Sequence, residues 1–484
     1  MSIYDQYETV IGLEIHVQLS TLSKAFCGDS TQFGGAPNTQ VSAISLGHPG
    51  TLPRLNKQQV EFAIRLGLAL GCEINRHNYF DRKNYFYADL PKGYQITQDN
   101  APICLGGKLR IQTDEGERVV RIHHIHMEED AGKSIHDQRP NHSLIDLNRA
   151  GVPLLEIVTE PDLRTAAEVD ALMMSMRQLV RYLGISDGNM EQGSMRCDCN
   201  VSVRKKGVEV LGERCEIKNL NSMRFARRAI EFERKRQIDR IEAGYSIQQQ
   251  TLNFDPNTGI TTPLRSKEDA HDYRYFPEPD LAPIFLTDTH IDQIRHKLPA
   301  LPWQVAEQMT QEYQLSDYDA RILSEEASSA QYFLRLAKLS APPKPLANLL
   351  INKLLPYLQE QQLSPEDCPL SDASILDFLQ LIETKKVSHS AAYQGLLPSL
   401  FADPKTSPTS LAESLNLLQT DDEDSLGKIV EAVVHQFPDK VKAYQKGKKG
   451  LLGFFMGQIM RQSKGKANPQ IAQTLLAQKL EESS

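Results

Sequence analysis

Between Val10 and Leu19, Glu14, His16 and Gln18 alternate with Leu13, Ile15, Val17 and Leu19. Side chains of one parity share a strand face at roughly 6 to 7 Å spacing, so a carboxylate and an imidazole point into one small volume. A solvent face ordinarily carries Lys, Thr or Ser; a carboxylate beside an imidazole suits a hard cation or a proton-transfer site. Taken alone such a strand reads as an exposed face, but the pattern recurs. His126 and Glu128 share a parity within the run His123, His124, His126, Glu128, Glu129 and Asp130. Two strands of this kind side by side would hold one Mg²⁺ through carboxylates, an imidazole and waters, leaving positions for nucleotide phosphates. Glu156 stands among Leu154, Leu155, Ile157 and Val158. Buried there and unpaired, its charge would be several kcal/mol unfavourable, so a metal, a cation, a backbone amide or a raised pKa must answer it.

In a fourth run Arg196, Asp198, Asn200, Ser202 and Arg204 take one parity, and Met195, Cys197, Cys199, Val201 and Val203 the other. The cysteines are thereby expected to face a core. Zinc ligation by Cys197, Cys199 and Cys215 lacks the two-residue spacer and a matching second pair. Gly132, Lys133 and Ser134 mimic the end of a phosphate loop, but the position five before Gly132 is Met127, not glycine, so that motif fails. Neither a G-x-S-x-G elbow nor H-E-x-x-H occurs, which disfavours serine hydrolases and zincins. Asp81 to Ile96, dense in Arg, Lys and Tyr, reads by residue chemistry as a Tyr-rich structural loop.

Around these residues, the sequence up to about Pro283 alternates short β-like runs with loops rich in Gly, Asn, Asp and Pro, interrupted by two helices, and reads as α+β. One helix carries Val169, Leu172, Met173, Met176, Leu179, Val180 and Leu183 at helical spacing, with Thr165 and Glu168 as a capping box and Gly184 as a stop. The other, about Phe225 to Ala243, bears a coat of Arg and Lys expected to be solvated. After about Asp292 the pattern is helical and divided by prolines, with Ala402 to Ser410 as an exposed linker. Beyond it Lys446, Lys448, Lys449, Arg461, Lys464 and Lys466 surround the apolar run Leu451 to Met460, a basic cluster suited to a phosphate backbone or to a solvated helix end.

The 484 residues imply two or three domains, and the net charge of -8 argues against a polybasic protein while allowing a local basic patch. Seven scattered cysteines suit a reducing compartment. Met1 to Thr9 has no apolar signal region, and Leu451 to Met460 is far short of the ~20 residues of a membrane span, so a cytoplasmic protein without membrane attachment is expected.

Six strings in order carry a resemblance: IGLEIHVQ from Ile11, RKNYFYADLPKGYQ from Arg82, HMEEDAGK from His126, NRAGVPLLEIV from Asn148, EQGSMRCDCNVSV from Glu191 and DYRYFPEPDL from Asp272. Together with GFFMGQIMRQSKGKANPQ near the C-terminus, they resemble the B subunits of bacterial three-subunit, glutamine-dependent aspartyl/glutamyl-tRNA amidotransferases. The resemblance implies a mainly antiparallel-sheet catalytic cradle over residues 1 to about 292, a helical domain over 293 to 405 and a small helical tRNA-gripping tail over 406 to 484. It also implies a reaction. A tRNA misacylated with Glu or Asp is bound, its side-chain carboxylate is phosphorylated with ATP and Mg²⁺, and ammonia displaces phosphate to give Gln-tRNA or Asn-tRNA. The ammonia would come from an amidase-type glutaminase A subunit held by a small C subunit. The roles expected on this basis are metal ligation by Glu14, His16, Glu128 and Glu156, and ammonia delivery by Lys83, Tyr85, Lys92, Glu129 and Asp198. Arg149 and Arg196 would hold phosphates, or else pair Glu156 or Asp198. A non-enzymatic RNA adaptor would instead leave the acidic faces merely solvated, and a metal hydrolase would need no ATP.

Overall fold

The computed structural model describes residues 2–135, 142–220, 222–265, 273–419, 423–463, 467 and 469–482. The chain forms two compact units, Met1–Gln304 and Val305–Ser484. The first is sheet-rich and the second helical, a mixed α/β composition consistent with the α+β expectation.

Unit 1 is built on a ten-stranded sheet. Its central strands are β1 (Tyr7–Gln18), β2 (Gly116–Glu129), β3 (Pro153–Thr159), β4 (Met195–Lys205) and β5 (Cys215–Leu220). They lie side by side in the order β5-β4-β1-β3-β2, every neighbouring pair antiparallel. The next strand out, Gln250–Asp255, pairs with β5 in parallel. Strict alternation gives the sheet two unlike faces. Leu13, Ile15 and Val17 of β1 join Leu155, Ile157, Ile125, Met127, Cys197, Cys199 and Cys215 in one buried apolar cluster. The cysteines therefore do face the core.

Helices α1 (Lys57–Leu70), α2 (Ala166–Tyr182) and α3 (Met223–Glu242) contribute to that cluster, as does helix Asp288–Arg295 through Ile291 and Ile294. In α2 the expected capping box is present, with Thr165 accepting from the Glu168 amide, and Gly184 takes φ +64° beyond its end. The coat on α3 is solvated at Arg224, Arg227 and Lys235, as expected, but part of it is also paired: Arg227 meets Asp170, Arg234 donates to the Tyr4 carbonyl, and Arg236 grips Glu233. Helix α1 escaped the sequence reading, which gave this region only two long helices. Its signals are present but short: Asn56 caps its start, and Gln58, Glu61 and Arg65 form one polar line along an otherwise apolar helix. Gly67 permits its close approach, since an added Cβ would stand 2.4 Å from Cys104 Sγ.

Asp81–Asn84 and Tyr94–Thr97 are strands of a separate three-stranded sheet completed by Phe276–Pro277, so the expected Tyr-rich loop is the turn between two paired strands. In unit 2 the expected linker is corrected as well. Pro408–Ser414 is a helix capped by Ser407, and Thr409 bonds Asp377 at 2.9 Å, which docks the segment on helix Asp372–Glu383. Helices between Glu423 and Glu482 then enclose their own apolar cluster, centred on Leu426, Val430, Phe455, Ile459 and Leu476. Among the described residues no helix is long and apolar enough to cross a membrane.

Candidate catalytic face

Strand register brings the polar residues into rows on the sheet face opposite the core. One row runs Arg196, His16, Glu156, His126 across β4, β1, β3 and β2. The next runs Asp198, Glu14, Val158, His124, and on the other side lie Gln18, Leu154 and Glu128. The expectation that the strands of His16 and His126 lie side by side is thus corrected: β3 separates them, and Glu156 stands between the two imidazoles.

Glu156 Oε2 is 3.2 Å from His16 Nε2 and 3.4 Å from His126 Nε2; Glu128 approaches the same rings at 3.8 and 3.7 Å. One ligand atom each from His16, Glu128 and Glu156 lies within 4.8 Å of the others. Burial works against protonation of both rings, but Glu156 in the first place, with Glu128, raises His16 to about 9 and His126 to about 10. Reciprocally, burial disfavours the charge on Glu156, yet His126 and then His16 hold its carboxyl well below the usual range. His124, stacked on His126 with centroids 5.2 Å apart, is pushed down to about 4 by burial and by its two histidine neighbours. Two carboxylates this close require nearby positive charge. Imidazolium supplies it in this arrangement, and a divalent cation would supply it with the imidazoles neutral. The carboxylates suit Mg²⁺, and the imidazole suits softer divalent ions as well, so the donor set fits a cation.

Glu14 falls outside this trio. Its carboxylate groups with Asp198 and Glu216, receives a hydrogen bond from Asn200 at 2.9 Å, and is raised by burial and by Glu156 and Glu216. Lys218 answers that second group, standing 3.0 Å from Asp198 and bonding Glu216, and its own pKa is raised by those acids against the effect of burial. Glu216 and Lys218 were missed from the sequence, although they share a parity on β5 opposite Cys215 and Ile217.

The other expected residues divide. Lys83 feels the charge of the trio: burial lowers its pKa, but Glu128, with Tyr275 and Glu156, raises it overall, and its ammonium lies 4.8 Å from the Tyr273 ring centroid. Tyr85 packs edge-on to Tyr273 at 6.0 Å, its hydroxyl pKa raised by burial and then by Glu128. Lys92 and Glu129 form an ion pair with one another. That pair lines a cavity of about 70 Å³ with Lys24, Phe26 and Tyr94. Asp198 belongs to the Glu14 group, so the five residues expected along the ammonia route are not one continuous set: Lys92 and Glu129 pair with each other, and Asp198 stands apart with Glu14. Among the described residues neither Arg149 nor Arg196 forms an ion pair with Glu156 or Asp198, although, against the effect of burial, the charge of Asp198 adds to that of Asp130 in raising the Arg196 pKa. Both converge on Asp130, Arg196 donating at 3.0 Å and Arg149 standing 3.7 Å away while it donates to the Ala131 and Gly132 carbonyls. Lys446, Lys448, Lys449 and Arg461 are exposed in unit 2; Lys464 and Lys466 lie outside the described residues.

Residues 9–292 match the family described as the GatB/GatE catalytic domain, and residues 331–480 the GatB domain. Similar full-length proteins are named as the B subunit of aspartyl/glutamyl-tRNA(Asn/Gln) amidotransferase. That of Thermodesulfovibrio yellowstonii is 46% identical over 477 residues, covering 99% of this chain and 100% of its own. That of Geotalea uraniireducens is 47% identical over 478, covering 98% and 99%, and that of Salinibacter ruber 46% over 497, covering 99% and 98%.

Proposed function

The chain belongs to the family of tRNA-dependent amidotransferase B subunits, and from that membership we propose that it converts Glu-tRNA(Gln), Asp-tRNA(Asn) or both to the amidated forms within a ligase complex. An amidase-type glutaminase A subunit would supply ammonia and a small C subunit would hold the two together. Residues 1–292 would act as catalytic cradle, 293–405 as helical domain and 406–484 as tRNA-binding tail. A carboxylate is a poor electrophile, and transfer of the ATP γ-phosphoryl group turns its oxygen into a leaving group.

His16, Glu128 and Glu156 would hold Mg²⁺, with Glu14 in the adjoining group. When bound, Mg²⁺ would neutralise phosphate charge as the acyl phosphate forms. Lys83, whose charge Glu128 and Glu156 favour, would add a cation near the transferred group. Ammonia attacks only when neutral, so its route needs acceptors that take up a proton and exclude water. Glu129, paired with Lys92, has a carboxylate that could take up that proton, Tyr85 would add a hydrogen-bonding hydroxyl, and Asp198 would take part from the Glu14 side. Arg149 and Arg196 would present N–H donors to phosphate while Asp130 fixes their position.

One observation carries this proposal: three antiparallel strands, far apart in sequence, bring His16, Glu128 and Glu156 within 4.8 Å of one another. In the assembled complex, Glu128→Gln or Glu156→Gln is expected to reduce tRNA-dependent ATP hydrolysis at least 100-fold, roughly the 3 kcal/mol attached to one electrostatic contact at a reacting phosphate, while charged tRNA still binds. Full ATP turnover in either variant removes that residue from the site.

A further inference from the structure

Beside the acid and imidazole row lies a cavity of about 280 Å³ whose lining includes Gln18, Phe33, Gly34, Lys133, Arg149 and Gln192. Gln18 follows His16 on the same face of β1 and binds Asp130, so the cavity adjoins the residues that hold both arginines. Phe33 is 61% exposed at its edge. An aromatic ring so exposed is not filling a core, and the loop that bears it is not loose. Asn148 donates to the Ala36 carbonyl at 2.7 Å and accepts from the Gln40 amide at 2.9 Å; Asn38 accepts from the Leu147 amide at 2.8 Å and donates to the Ile145 carbonyl at 2.9 Å. Gln40 also closes the loop on itself through the Gln32 carbonyl, at 2.9 Å. Gly34, at φ +84°, takes the turn directly after the ring in a region that side chains disfavour. The Lys133 ammonium sits 5.3 Å from the Phe33 centroid. A fixed aromatic plane, a cation over one of its faces with the other left for a base, and glycine backbone open to close approach are the parts of a nucleobase stacking platform with a phosphate contact.

We propose that Phe33, on its anchored loop, stacks the base of an adenine nucleotide whose phosphate side faces Lys133 and Arg149 and points toward the acid and imidazole row. The choice of adenine rests on the proposed function, because the two nucleosides that reaction brings to the row, that of ATP and that at the tRNA 3′ end, are both adenosine. Stacking itself depends on the shared chemistry alone.

The test uses the full-length chain with Trp303, its single tryptophan, replaced by Phe and Phe33→Trp introduced as the reporter. AMP and ATP are expected to quench the new fluorescence saturably, and tripolyphosphate to leave it unchanged. No quenching by AMP, or equal quenching by tripolyphosphate, overturns the proposal. In the assembled complex, Phe33→Ala is expected to raise one KM about tenfold, within the range of one base stacked on one ring, with kcat held and Phe33→Tyr restoring the value. A rise in KM for ATP assigns the platform to the cosubstrate, and a rise in KM for charged tRNA assigns it to the acceptor end; a rise in neither overturns the proposal. AMP quenching that survives in a complex without tRNA-dependent ATP turnover would sink the proposed function and leave the platform standing.

Discussion

Asp130 accepts from Gln18 at 2.6 Å and from Arg196 at 3.0 Å, with Arg149 3.7 Å away. Burial alone would raise its carboxyl, but Arg196 and then Arg149 hold it below the usual range. The residue joins three elements that the sequence separates widely. Asp130→Asn removes the charge that both guanidinium groups share. Breaking a fully buried pair costs roughly 3 to 5 kcal/mol; with the arginine side chains about a quarter exposed, about 2 kcal/mol is expected here. Urea unfolding of the two proteins measures it, and coincident midpoints would show that the carboxylate is dispensable. Parity along a strand told which residues share a face, and on that ground Glu14, His16, Asp198 and Arg196 were legible. It could not tell which strand lies next door. Hence Arg149 and Arg196, expected to hold phosphates or else to pair Glu156 or Asp198, are found on Asp130, and Glu14 was expected with the trio and sits with Asp198 and Glu216.

Helix α3 shows what an element's charge pattern conceals. Its sequence looks like a solvated basic rod, yet Glu233 on it is fully buried and accepts from Arg236, Gln237 and Thr261. Desolvation opposes its ionisation; the Arg236 hydrogen bond and charge, then Gln237 and Thr261, outweigh that and lower its pKa below 4.5. A depressed folded-state pKa means the unfolded chain binds the proton more readily, so the contribution is complete above the unfolded value and is lost as pH falls through the folded one. Glu233→Gln is therefore expected to flatten the decline of stability below about pH 4.5 relative to the parent, as read from unfolding midpoints between neutral and acid pH. Parallel acid limbs would place the titration elsewhere. The same scale explains which helices could be read. Helix α2 announces itself by a 3.6-residue stripe and a capping box, whereas α1 offers a shorter polar line, Gln58, Glu61 and Arg65, behind an Asn56 cap. Strands of two residues, such as Glu73–Ile74 and Cys104–Leu105, have no period at all and depend wholly on their neighbours.

For the molecule as a whole, the charge of -8 and the basic cluster near the C-terminus make opposite demands on an anionic partner. An acidic total repels a polyanion at long range, but beyond about 10 Å salt screens that repulsion, and a local group of cations then governs contact. Lys446 and Lys448 follow helix Pro438–Gln445 in an exposed turn that leads into helix Leu451–Gln462, whose last turn carries exposed Arg461. Lys449, in the same turn, lies 4.2 Å from the Tyr444 ring, which makes it the poorer choice for an electrostatic test. If the tail holds the tRNA backbone, Lys446→Gln with Lys448→Gln removes two phosphate contacts and the counterions they release. Each contact contributes roughly 0.7 to 0.9 to the slope of log affinity against log salt, so the double variant is expected to lower that slope by about 1.5. At moderate salt the KM for charged tRNA should rise about tenfold, on the order of 1.4 kcal/mol for two exposed contacts, with the KM for ATP held. Measurement of both constants from low to moderate KCl separates the outcomes. An unchanged salt slope would make the cluster a solvated helix end and leave tRNA binding to other surfaces of the chain or to the partner subunits.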